Sequence, residues 1–435
     1  MILRLAFALL LLAVPARAEM AIRDVTSPGG IRAWLVEDHS IPFMALEIRF
    51  RGGSNLDPAG KRGVTNLMAA LIEEGTGDLD SQGFARARDA LAAEFSFEAG
   101  TDALSVSARM LTENRDAAAD LLRQALTAPR FDADAIERVR GQVLSNIASN
   151  DQDPEALASR AFNQMAWGDH PYGSASDGTA ESVGALTRDD ILAAHKAAIA
   201  HDRIYVAASG DISAMDLGLL LDRLLGGLPA TGAPQPPRAT WGLAGGVTVR
   251  DFPVPQSVIL FGHKGIKRED PDFFPAFILN EVLGGSRFSA RLMTEVREKR
   301  GLTYGIGTYL SPMDLGEVVA GQFSSENSKV AEAIGIVKDE WRRASEHGIT
   351  AEELATTKTY LTGSYPLRFD GNDAIANILV GMQMEGLPID YPVTRNAKIE
   401  AVTLADVARV AKRVLRPDDL HFVVVGQPVG LATAP

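Results

Sequence analysis

Apolar and polar positions alternate along several short stretches of the chain, and β-branched residues are frequent in them. These stretches predict strands at Ala33–Val36, Phe43–Phe50, Ala103–Ala108, Ser257–Gly262 and Val318–Phe323. Segments with the apolar spacing of helices lie between them. Because strands and helices do not alternate one to one, the pattern favours a mixed or antiparallel sheet with helices packed on it. The predicted class is α+β rather than a doubly wound parallel sheet.

The two halves of the chain repeat one helix-to-strand pattern. Thr187 is placed to cap a helix that leads into a strand ending at Gly210, and Thr403 stands at the same distance before Gly426. This repetition predicts two homologous domains. A chance coincidence of two helix starts is the competing interpretation.

A proline-rich stretch separates the two halves. The segment Leu228–Arg238 contains four prolines and has no apolar period that could pack against a core. We therefore expect an N-terminal domain over residues 19–228, a linker over 229–240 and a C-terminal domain over 241–435.

The first eighteen residues differ from the rest of the chain and predict a signal peptide over 1–18. Arg4 precedes the apolar run Leu5–Val14, and Ala16–Ala18 fits a small-x-small cleavage site. An uncleaved membrane anchor is the alternative, but a span of the hydrocarbon core needs ~20 apolar residues. We expect export, which means the periplasm if the source is Gram-negative, with no membrane attachment after cleavage.

Composition narrows the function classes. The chain has 435 residues, of which 46% are hydrophobic and 23% are charged, and this suits two or three globular domains. Its net charge of −13 argues against binding to nucleic acid, which requires a basic patch. The absence of cysteine excludes disulfides, thiolate zinc sites and a cysteine nucleophile.

Short motifs do not identify a catalytic site. No two of the seven histidines are three or four residues apart, so no helix face presents a two-histidine zinc site. The nucleophile elbow G-x-S-x-G, the phosphate-binding loop and the dinucleotide fingerprint do not occur. These residues alone indicate an exported protein of two α+β domains and nothing narrower.

Two longer patterns are more specific. Segment Gly53–Thr76 begins G-S-x-x-x-P-x-G-x-x-G, continues into a predicted helix and ends in G-T. Segment Gly284–Tyr304 passes from a glycine-rich turn into a helix and ends R-E-K-R-G-L-x-Y. Both resemble the pitrilysin, insulinase and mitochondrial-processing-peptidase family of inverted zinc peptidases, family M16. The resemblance extends through essentially the whole chain after the signal peptide and implies two homologous domains.

The sequence departs from the family at the zinc motif. The family's helix carries H-x-x-E-H, in which two histidines bind zinc and the glutamate is the general base. The corresponding residues here are Asn66, Ala69 and Ala70, and Asn146 stands where the family has its third ligand, a glutamate. Methyl groups and neutral amides are poor zinc ligands. The resemblance therefore implies that this chain binds no catalytic zinc, since a misalignment would require an H-x-x-E-H that the sequence lacks.

The second half of the family's active site is retained. Family members hydrogen-bond the substrate carbonyl with an arginine and a tyrosine seven residues apart, and Arg297 and Tyr304 have that spacing within the matching motif. Guanidinium and phenol groups can both donate to an oxyanion. Without the resemblance, Arg297 would be interpreted as a solvated charge and Tyr304 as a strand aromatic.

The combination resembles the non-catalytic subunit of heterodimeric family members. We expect a chain that is inactive alone and binds a paralogous H-x-x-E-H subunit that holds the zinc. Arg297 and Tyr304 would complete the partner's site for extended peptides. A structural subunit, or a peptide-binding chaperone-like protein of the same fold, remains the alternative, and neither requires the retained pair.

The family also binds its substrate along an edge strand. The candidate strand here is Ala103–Ala108, which follows a turn at Gly100. Because the zinc motif of this domain is lost, the resemblance leaves open whether the strand still binds peptide.

Overall fold

The computed structural model describes residues 21–431, so the predicted signal peptide over 1–18 lies outside the described residues. The strands are β1 (Ile22–Thr26), β2 (Arg32–Glu37), β3 (Phe43–Arg51), β4 (Gly75–Thr76), β5 (Leu79–Asp80), β6 (Glu94–Ala99), β7 (Ala103–Leu111), β8 (Ile204–Gly210), β9 (Gly246–Asp251), β10 (Gln256–Lys264), β11 (Ile306–Pro312), β12 (Glu317–Glu326) and β13 (His421–Gly426).

The helices follow in the same chain order. They are α1 (Val64–Leu71), α2 (Ser81–Ala90), α3 (Arg115–Thr127), α4 (Ala133–Asn150), α5 (Pro154–Trp167), α6 (Ala180–Gly184), α7 (Arg188–Ala198), α8 (Ala214–Leu225), α9 (Phe273–Gly284), α10 (Val330–His347), α11 (Ala351–Ser364), α12 (Asn372–Met384), α13 (Tyr391–Ala401) and α14 (Leu404–Val414). No helix within residues 21–431 is long and apolar enough to cross a membrane.

Two large mixed sheets have equivalent strand orders. The strand order of the first sheet is β1-β2-β8-β3-β7-β6, and that of the second, read from the β9 edge, is β9-β13-β10-β12-β11. Strand by strand, the second sheet corresponds to the first sheet without β1. Each sheet contains one parallel pair, β2 with β8 and β13 with β9, and its other pairs are antiparallel. This equivalence confirms the predicted α+β class with two homologous domains.

The repeated helix starts arise from local chemistry. The Thr187 side chain accepts a hydrogen bond from the backbone N–H of Asp190, and the Asp190 side chain accepts one from Thr187. Thr403 and Asp406 form the same reciprocal pair at the start of α14. Each pair satisfies two backbone donors that have no partner within the helix. The predicted cap at Thr187 is confirmed.

The two halves exchange helices. Helix α12, from the second half, packs its Leu379 and Val380 against Trp34 and Ala207 on the first sheet. Helix α5, from the first half, packs against β10 and β13 of the second sheet, with buried apolar residues on both sides of the contact. Each sheet therefore has one face covered by a helix from the other half, and this buries apolar surface between the halves.

The segment 229–240 contains no helix or strand, and polar contacts attach it to both halves. The Gln235 side chain donates to the backbone oxygen of Arg51 over 3.0 Å in the first half. Arg238 donates to the backbone oxygen of Asp314 over 3.0 Å and forms an ion pair with Glu317 in the second half.

The expectation that Ala103–Ala108 forms an edge strand is wrong. These residues belong to β7, which pairs with β3 on one side and with β6 on the other. Strand β6 is the edge of this sheet, because the turn after Ala99 folds it back onto β7 as a hairpin. Its alternating polar residues do not distinguish a sheet edge from a surface loop in the sequence alone.

Candidate functional site

Helix α1, which corresponds to the zinc-binding helix of the family, is held at its start by a buried carboxylate. Asp57 accepts hydrogen bonds from the backbone N–H of Gly63 over 2.7 Å and of Thr65 over 3.1 Å. Gly63 has φ +88°, a conformation that favours glycine. Burial raises the pKa of Asp57, while the hydrogen bonds from Thr65 and Gly63 oppose that rise. The helix scaffold is therefore retained although its motif is not.

The four residues predicted to occupy the zinc-motif positions lie on two helices in contact. Asn66, Ala69 and Ala70 lie on α1, and Asn146 lies on α4, which packs against α1. Asn66 is half-buried, Ala69 is buried, and Ala70 and Asn146 are exposed. The fold thus brings the family's ligand-bearing elements together, but the side chains present are two amides and two methyl groups. This donor set does not fit zinc, which takes imidazole, thiolate or carboxylate ligands.

Neighbouring carboxylates do not replace the missing ligands. Glu73 and Glu74 follow α1, but Glu73 pairs with Arg88 at 3.2 Å and Glu74 pairs with Arg138 at 2.6 Å. The hydrogen bond from Arg138 lowers the pKa of Glu74. Within residues 21–431 there is no group of three or more His, Asp or Glu side chains that could hold a metal ion.

Arg297 lies on a π-helix that spans Met293–Glu298. The backbone N–H of Lys299 donates to the oxygen of Thr294, five residues earlier, over 3.0 Å. Single π-helical turns are rare and occur frequently at functional sites. The wider turn changes the direction in which the side chains of this segment leave the helix axis.

The structure distinguishes Arg297 from the other cations of its motif. Lys299 and Arg300 both form ion pairs with Glu295, at 2.7 and 2.8 Å. The hydrogen bonds from these two side chains lower the pKa of Glu295. Arg297 forms no ion pair or side-chain hydrogen bond with any residue in 21–431. Its guanidinium donors are therefore available to a ligand.

Aromatic rings flank the Arg297 guanidinium. Its Cζ atom lies 5.5 Å from the centre of the Tyr304 ring and 5.0 Å from the centre of the Phe288 ring. Both distances are within the range of cation–π contacts. The structure therefore brings the two predicted residues, Arg297 and Tyr304, together. We call the three side chains Phe288, Arg297 and Tyr304 the arginine clamp.

Tyr304 stands in a loop before β11 rather than in a strand. Its side chain is 92% exposed, and it borders a cleft of ≈ 570 Å³. Polar residues of the second sheet line this cleft, among them Gln256, Gln322 and Ser324, and Ser159 of α5 also borders it. Apolar residues such as Val258 and Leu260 and the carboxylate Glu155 also line it, so the phenol group lies beside a mixed groove whose amide and hydroxyl groups can hydrogen-bond a peptide backbone.

Sequence reasoning missed Phe288. This residue is 72% exposed, so it is not part of the core. The available signal was a single aromatic residue in the polar loop that follows Gly285. That signal is weak, because isolated exposed apolar residues are common on protein surfaces.

Models of one protein family match segments in both halves of the chain. Residues 32–180 match the family described as insulinase (peptidase family M16), and residues 185–361 match the peptidase M16 inactive domain. A Helicobacter pylori protein named non-peptidase homolog YmxG is 26% identical over 89% of this chain and 90% of its own length. An uncharacterized zinc protease of Streptomyces coelicolor is 28% identical over 91% of this chain and 87% of its own.

Solved structures show the same fold. The crystal structure of a peptidase M16 inactive domain from Pseudomonas fluorescens superposes with a TM-score of 0.88 at 29% identity, covering 95% of this chain and 99% of that one. A protease from Helicobacter pylori superposes with a TM-score of 0.85 at 16% identity, covering 94% and 100%. These matches show that the chain belongs to peptidase family M16, as a non-catalytic member.

Proposed function

We propose that this chain is the non-catalytic subunit of an exported, heterodimeric zinc peptidase. Its partner is a paralogue that carries H-x-x-E-H and the zinc ion. This chain contributes Arg297 and Tyr304 to the partner's active site and helps to bind extended peptides. The observation that carries the proposal is that the zinc ligands are replaced, whereas the guanidinium of Arg297 has no hydrogen-bond partner among residues 21–431 and lies beside Tyr304.

The chemistry of the retained pair suits this role. Attack of water on a peptide carbonyl develops negative charge on the carbonyl oxygen, and hydrogen-bond donors stabilise that charge. Arg297 offers N–H groups that no described residue occupies, and Tyr304 offers an exposed hydroxyl. The loss of one such donor typically slows a reaction by ~10²–10³-fold.

The need for a partner follows from the helix that corresponds to the zinc-binding helix. Asn66, Ala69 and Ala70 supply neither a metal ligand of adequate strength nor a general base. In the lone chain, Tyr304 is 92% exposed, and bulk water weakens the hydrogen bonds that its hydroxyl could donate to a substrate. A catalytic donor is therefore poorly placed there without a partner. Enclosure by a partner would remove this water and strengthen the interaction.

The test is reconstitution with an H-x-x-E-H paralogue from the same genome, followed by cleavage of a fluorogenic peptide. We expect neither chain to cleave alone and the pair to cleave. The double variant Arg297→Ala with Tyr304→Phe should lower kcat at least 100-fold while the heterodimer still forms. Arg300→Ala is the matched control, since it removes a cation of the same motif that pairs with Glu295.

Three results would contradict the proposal. Full activity of the double variant would leave the structural or chaperone-like alternative. Stoichiometric zinc in the purified chain, or peptide hydrolysis by it alone, would show that it has a metal site of its own. Export is tested separately by N-terminal sequencing of the secreted protein, for which the expected first residue is Glu19.

A further inference from the structure

We infer that Phe288 is a positioning residue for Arg297, holding the guanidinium in the orientation that serves the partner's active site. This inference rests on the proposed function for its use in catalysis. The existence of the arginine clamp can be tested without the partner. Phe288 does not itself touch substrate in this scheme; it acts through the orientation of Arg297.

The contacts of the guanidinium support this role. Phe288 and Tyr304 lie 5.0 and 5.5 Å from the Arg297 Cζ atom, and no described side chain holds its N–H groups. Arginine has a long side chain whose rotamer freedom must be reduced for a fixed donor geometry. Contact with the two aromatic rings restricts that freedom, while the N–H groups keep no hydrogen-bond partner among residues 21–431.

The loop that carries Phe288 is fixed by other residues. Arg287 donates to the Thr357 hydroxyl over 2.6 Å on one side of Phe288. Arg291 binds the carboxylate of Glu353 over 2.6 and 2.7 Å on the other side. Truncation of Phe288 should therefore leave the loop in place and remove only the contact with Arg297.

Core packing does not explain Phe288. Its side chain is 72% exposed, so it removes little apolar surface from water and contributes little to the stability of the domain. The same exposure means that a Phe288→Ala protein should fold. A measured change at Arg297 would then report on the clamp rather than on a general loss of structure.

The first measurement uses the isolated full chain. In NMR spectra of arginine-labelled protein, the Nε–Hε signal of Arg297 should shift and its mobility should increase in Phe288→Ala. The Arg300 signal should stay unchanged, because that side chain pairs with Glu295. Phe288→Trp keeps an aromatic face and should restore the lower mobility of Arg297. An Arg297 signal that is identical in wild type and Phe288→Ala would overturn the inference.

The second measurement uses the reconstituted pair. Phe288→Ala should lower kcat by about 5- to 50-fold, less than the ~10²–10³-fold loss expected without a donor, with KM within twofold. Phe288→Trp should recover most of kcat. Met215→Ala is the control, because Met215 is 74% exposed on α8 in the other half.

The outcomes separate the two claims. If the Arg297 signal responds to Phe288→Ala but Arg297→Ala leaves peptidase activity unchanged, the proposed function fails and the clamp stands. If Arg297→Ala abolishes activity while Phe288→Ala leaves kcat unchanged, the positioning role is overturned. A rise in KM at constant kcat would also overturn it, since it would assign Phe288 to substrate binding.

Discussion

His263 should make the stability of the second domain depend on pH. Its ring is fully buried on β10, where Nδ1 contacts the backbone oxygen of Lys264 at 2.8 Å and Nε2 accepts from the Trp341 indole N–H over 3.0 Å. A neutral ring with the proton on Nδ1 satisfies both contacts, and a proton on Nε2 would face the indole N–H. Burial lowers the pKa of His263 from 6.5 to about 4.

The sign and size of the effect follow from this difference in pKa. The unfolded chain binds the proton more readily than the folded chain, so the contribution of His263 is complete above pH 6.5 and is lost as the pH falls towards 4. A difference of about 2.5 units at 1.36 kcal/mol each corresponds to about 3 kcal/mol of unfolding free energy.

Urea unfolding followed by tryptophan fluorescence at pH 7, 6, 5 and 4 tests this prediction. His263→Gln should be less stable at pH 7 by about 1–3 kcal/mol, because the buried contacts are imperfectly replaced. It should lose less stability than wild type on acidification. His347→Gln, at an exposed position, is the control and should follow the wild-type curve. Parallel curves for wild type and His263→Gln would refute the reasoning.

Two carboxylates of the first half provide further predictions. Glu47 is 7% exposed, and its Oε2 has no hydrogen-bond partner. Burial raises the pKa of Glu47, so the folded state holds its proton more tightly than the unfolded chain does. Its contribution to the unfolding free energy is therefore favourable at low pH and is lost as the pH rises. Glu47→Gln should therefore raise Tm relative to wild type at pH 8 and not at pH 4; equal shifts at both pH values would contradict this. Asp102 accepts hydrogen bonds from Tyr172 of the same half and from the backbone N–H of Asp314, and the second bond connects the two halves. Asp102→Ala should lower the unfolding free energy by about 2–4 kcal/mol, measured by urea unfolding, with the exposed Asp89→Ala as control.

The contacts of Arg297 differ from those of the two cations that follow it in the chain. In the sequence, Arg297, Lys299 and Arg300 are three similar charges. In the structure, Glu295 pairs with Lys299 and Arg300, and Arg297 turns to the aromatic rings instead. Lys299 and Arg300 stand four and five residues after Glu295 and reach its carboxylate, whereas Arg297 is only two residues away and its side chain leaves the helix on another side.

The sequence by itself determined the features that depend on residue identity or on short range. The capping pairs at Thr187 and Thr403 form between residues three apart, so the repeated helix starts could be predicted. The deficit at Asn66 and Ala70 is a matter of side-chain chemistry. The α+β class followed from the order of predicted strands and helices, and the structure confirms it.

Only the tertiary structure decided the features that depend on residues far apart in the chain. Strand β7 is internal because β6 folds back beside it, and strand pairing is a choice among partners that local pattern does not encode. The exchange of α5 and α12 between the halves likewise depends on which apolar faces meet. Phe288 acquires a role only where the fold places it against Arg297, because a contact between side chains is a property of three-dimensional packing.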